Sequence, residues 1–107
     1  MVSEIFSKSI SNAKQYLDAD DFDQCDTIIS NLKAFIHNSD VKQKYLEKEK
    51  KVMDEFNKRH KYAREQLKDN DPIMEFNKGI HEYMKLRSWR SIEMLSFIDE
   101  LSREYDL

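Results

Sequence analysis

The sequence predicts an all-α protein: an antiparallel bundle of four helices, or five if the last one breaks, with a long central helix and a long C-terminal helix. Three observations lead there. The 107 residues include one glycine (Gly79) and one proline (Pro72), too few for the tight turns that β-structure needs. Apolar residues recur at spacings of three and four along most of the chain, the period of a single helix face. Residues 41–68 contain no glycine, proline or turn cluster and read as one rod around which the other segments are arranged. The length suits one domain with a modest core. Charged residues make up 36% and apolar residues 39%, a mix shared with coiled coils, while six phenylalanines, five tyrosines and Trp89 argue against disorder. With so little apolar content on long helices, the core is expected to need a second copy, and self-association follows.

Taken in order, the first helix is expected after Ser3 as N-cap, with Phe6, Ile10, Ala13 and Leu17 on one face. It should end in Asp18-Ala19-Asp20-Asp21-Phe22-Asp23, where carboxylates suit the positive end of the next helix. Cys25, Ile28/Ile29, Leu32 and Phe35/Ile36 form the cleanest stripe, and this second helix should fold back on the first as an αα-hairpin. His37-Asn38-Ser39-Asp40 reads as a turn, with Ser39 or Asp40 capping the central helix. That helix carries Val41, Tyr45/Leu46, Val52/Met53, Phe56, Ala63 and Leu67, interrupted by Glu49 and His60, and runs to about Lys68. Asp71 as N-cap and Pro72 as first residue open the last helix. Its stripe, Ile73, Phe76, Ile80 and Tyr83/Met84, loses phase at Arg87, Ser88, Arg90 and Ser91 and resumes at Ile92, Met94/Leu95, Ile98, Leu101 and Tyr105. With no glycine or proline there, a continuous or slightly kinked helix is expected.

The net charge of −3 hides an uneven distribution: residues 1–40 sum to −4, residues 41–68 to +5 and residues 69–107 to −4. The plain consequence is a basic central helix paired with acidic flanking helices. The sharper one is an anion-binding face formed by Lys50, Lys51, Lys58, Arg59, Lys61 and Arg64, which would make the chain a nucleic-acid binder.

Catalytic and metal chemistry find little support. The acidic cluster lacks the central glycine and closing glutamate of a calcium loop. His37, His60 and His81 share no Glu-x-x-His or His-x-x-x-His pattern, so neither a metal site nor a cofactor is expected. His60 reads as a partly buried histidine with a hydrogen-bond partner. A phosphate loop, a dinucleotide fingerprint and a nucleophile elbow all need more glycine than this chain has. Cys25 sits beside Asp23 and Asp26, which disfavour a thiolate. As a lone cysteine in a chain with no signal-peptide-length apolar run and no membrane span, it predicts an intracellular, cytoplasmic protein that is not an enzyme.

Ile10-x-Asn12, followed by Phe22-Asp23 and Asn31-Leu32, resembles the helical hairpin with which rabenosyn-type endosomal tethers hold small GTPases, over about a quarter of the chain. Residues 69–101, where Asp71-Pro72-Ile73 and Phe76 open a long last helix, are similar to the last helix of the YlbF/YmcA-type bacterial regulators, and Asn38-Ser39-Asp40 to their middle turn. The helix between is short for that family. Helical hairpins share such patterns freely, and neither resemblance carries residue roles over. The expected function is a non-enzymatic protein–protein interaction module, an adaptor or regulator. Its contact site is expected at Arg87, Trp89 and Arg90 with Tyr83, because tryptophan and arginine are enriched at binding hot spots.

Overall fold

A computed structural model shows four helices: α1 (Val2–Asp18), α2 (Phe22–His37), α3 (Lys42–Gln66) and α4 (Pro72–Glu104). It describes residues 2–66 and 72–105, with helix side chains from 4 to 65 and from 78 to 105. The described residues contain no strand, and neighbouring helices pack as an all-α bundle. The expected Asp71 cap, Leu67 and the side chains of Ile73 and Phe76 lie outside the described residues.

Helix ends follow from local hydrogen bonds. Ser3, expected as a cap, lies within the first turn of α1 instead. At the other end Asp20 adopts a left-handed φ of 58°, the Asp21 N–H bonds the Tyr16 carbonyl at 2.8 Å and the Asp20 N–H bonds the Leu17 carbonyl at 3.0 Å. This is a Schellman ending with aspartate where glycine is usual. Asp21 then caps α2, its carboxylate accepting from the Gln24 N–H at 3.3 Å. The acidic cluster therefore closes one helix and opens the next. Before α3, Ser39 Oγ donates to the Ile36 carbonyl at 2.7 Å and accepts from the Val41 N–H at 3.3 Å. Ser39, one of the two expected caps, serves both helix ends from inside the turn, and α3 itself begins at Lys42.

Two antiparallel hairpins, α1–α2 and α3–α4, make the bundle. Pairings of Lys48 with Glu93, Phe56 with Tyr83 and Arg59 with Trp89 set α3 against α4. α4 packs extensively on all three other helices, whereas α3, the long rod the sequence suggested as the organiser, packs mainly on α4 and only marginally on α2. Among the described residues, α1 and α3 do not meet. At the α2–α4 contact both helices present a small, fully buried side chain, Cys25 and Ser91. The core built around them, including Phe6, Ile10, Leu32, Ile36, Tyr45, Leu95 and Ile98, closes within one chain.

The interrupted stripes resolve without a bend. Glu49 accepts a 2.9 Å ion pair from Lys33 of α2. His60 lies with its ring centroid 5.4 Å from that of Tyr83 and 6.1 Å from that of Phe56. α4 runs unbroken, and its phase never slips: Arg87 and Ser91 occupy core-facing positions between Met84 and Met94/Leu95. Ile92, expected in the stripe, is exposed because Ser91 holds that place.

Candidate interaction surface

Arg87, Trp89, Arg90 and Tyr83, the residues expected to contact a partner, all lie where α4 leaves the cover of α2. Arg87 donates to Asp26 at 2.9 Å and to Asp23 at 3.2 Å, while Asp26 also accepts from Arg90 at 3.5 Å and from Ser91 Oγ at 3.3 Å. Burial works against the Arg87 charge, but its bonds to Asp26 and Asp23 and their negative charges outweigh it and hold its pKa above the usual arginine value. Arg90 stacks over the Phe56 ring at 4.7 Å and Arg87 over Phe22 at 5.2 Å. Trp89 is half-buried against the core with the Arg59 guanidinium 4.6 Å from its ring. Both arginines therefore turn their Nη2 groups to the carboxylates of α2, and Trp89 has an arginine against its ring. Tyr83 stays partly exposed and joins the ring cluster with Phe56 and His60.

The cations of α3 divide in two. Arg59 faces α4 and also pairs with Glu55 at 2.8 Å. Lys50, Lys51, Lys58, Lys61 and Arg64 are exposed and, among the described residues, have no carboxylate within ion-pair range. Glu47, Asp54 and Glu65 fall within the same outward arc of the helix, so the basic face is diluted by acids along its length.

A surface that sequence reasoning missed lies on the same two helices. α1 and α2 have 17 and 16 residues, while α4 has 33. At 1.5 Å per residue, α4 spans roughly 50 Å, close to the 54 Å longest dimension of the molecule, and the first hairpin covers about half of it. The core-facing positions therefore continue past Arg87 without a cover: Met84, Tyr83 and Ile80 follow in the same three–four rhythm, with Ile80 46% and Met84 39% exposed. On α3, Asn57, His60, Lys61, Arg64 and Glu65 line a shallow hollow of about 350 Å³. Between α3 and α4, Arg59, Tyr62, Leu86 and Trp89 help to line an open cleft of about 640 Å³, which shares Lys61 and Glu65 with that hollow. The signal was present in the lengths, since helices of 16 and 17 residues cannot cover one of 33.

Cys25 is wholly buried, and its thiol is pushed up by that burial and by the Asp26 charge, against the pull of Ser91 and Arg87. No group of three or more His, Cys, Asp and Glu side chains is arranged to hold a metal among the described residues. Nor is any described helix long and apolar enough to cross a membrane. Compared with protein-family models, curated proteins and solved structures, the chain finds no match.

Proposed function

We propose that this chain is a non-enzymatic protein–protein interaction module, an adaptor or regulator, whose contact surface is the uncovered half of the α3–α4 pair. The observation that carries the reading is that the core face of α4 runs on, unburied, through Tyr83, Met84 and Ile80. A helix face that is apolar and aligned with a core tends to be covered by something, and this chain's own first hairpin ends too early to do it. Self-association is one way to cover it, and a separate partner is the other. The basic arc of α3, with its interleaved carboxylates, suits solvent better than a phosphate backbone.

A photo-crosslinking amino acid placed at Met84, in the cells the chain comes from, tests the reading. We expect a defined adduct, identified by mass spectrometry, that is lost on Ile80→Asp and absent when the probe sits at Ser96, an exposed position of the same helix. No adduct, or equal adducts at both positions, would overturn it.

A further inference from the structure

We draw no further inference here: the strongest candidate, the exposed apolar patch of Ile80, Tyr83 and Met84 on α4, belongs to the surface already described, and nothing in the structure shows what covers it.

Discussion

Replacing Asp26 with alanine should cost more than any exposed substitution in this protein. Asp26 is the shared acceptor for Arg87 at 2.9 Å, Ser91 at 3.3 Å and Arg90 at 3.5 Å, and its removal leaves two guanidinium groups with side-chain exposures of 21% and 23% short of their main partner. Arg87 Nε is already buried with no bond of its own. A charge-assisted hydrogen bond contributes roughly 1.5–3 kcal/mol when shielded from solvent, and Asp26 is one-third exposed, so each bond is discounted. One good bond, one moderate bond and one marginal bond then sum to about 2–3 kcal/mol. For a domain of this size that shifts the melting midpoint by roughly 10–20 °C. Urea denaturation followed by circular dichroism reads it directly. Because much of the loss comes from stranding the arginines, Asp26→Ala combined with Arg87→Met should recover at least half. A single-variant loss below about 0.5 kcal/mol, or a double variant weaker than the sum of the singles, would refute the account of this node.

Further outcomes follow from other sites. Asp20→Gly should stabilise the fold by about 0.5–1 kcal/mol in the same urea assay, since Asp20 sits at φ 58° where glycine carries no Cβ penalty. Tyr45→Phe should be neutral or slightly stabilising, because the Tyr45 hydroxyl is buried without a partner; a loss above about 1 kcal/mol would mean that it makes a bond. The Cys25 thiol and the Tyr45 phenol are both raised by burial above their ordinary values of 9.0 and 10.0. The unfolded chain therefore releases these protons first, so the stability they add is complete below about pH 8 and declines as pH climbs through 9 and 10. Cys25→Ala should flatten the first part of that decline in melts run from pH 7 to 11. Titration with DNA and RNA at low salt should show no tight binding with a steep salt response; a steep one would restore the phosphate-binding role of Lys50, Lys51, Lys58, Lys61 and Arg64.

The helices were legible because their signals are local. The three–four stripes of α1 and α2, the aspartates at their junction and Pro72 at the head of α4 each act within a turn or two, and all of these elements appear in the fold. Which helix organises the bundle was not legible from the longest uninterrupted segment. α3 is long but covers its narrow stripe mainly with α4, whereas α4 packs extensively on each of the other three helices. Ser39 was legible only in part: its forward bond from the Val41 N–H fits the expected cap, while its donation back to the Ile36 carbonyl closes α2 as well, which a cap pattern alone does not signal. The expected contact residues were found as a cluster, but their partners on α2 were not, because Asp23 and Asp26 stand more than sixty positions away in sequence.

The apparent loss of phase at Arg87–Ser91 marks the point where the chain's own cover stops. A core-facing position filled by arginine is costly unless a carboxylate meets it, and the first turn of α2, rich in aspartate because it is a helix start, supplies that carboxylate. The pairing fixes the register of α2 along α4 and so fixes where the first hairpin ends. Had Arg87 and Ser91 been leucines, α2 could slide along a uniform stripe and cover Met84 or Ile80 at the expense of Ile98 or Leu101. The polar positions thus hold the hairpin at one end and keep the other end open. It follows that Asp26→Leu with Arg87→Leu and Ser91→Leu should fold at least as stably yet protect Met84 better. Hydroxyl-radical footprinting of Met84 measures that, and unchanged labelling in a folded triple variant would refute a register role for this node.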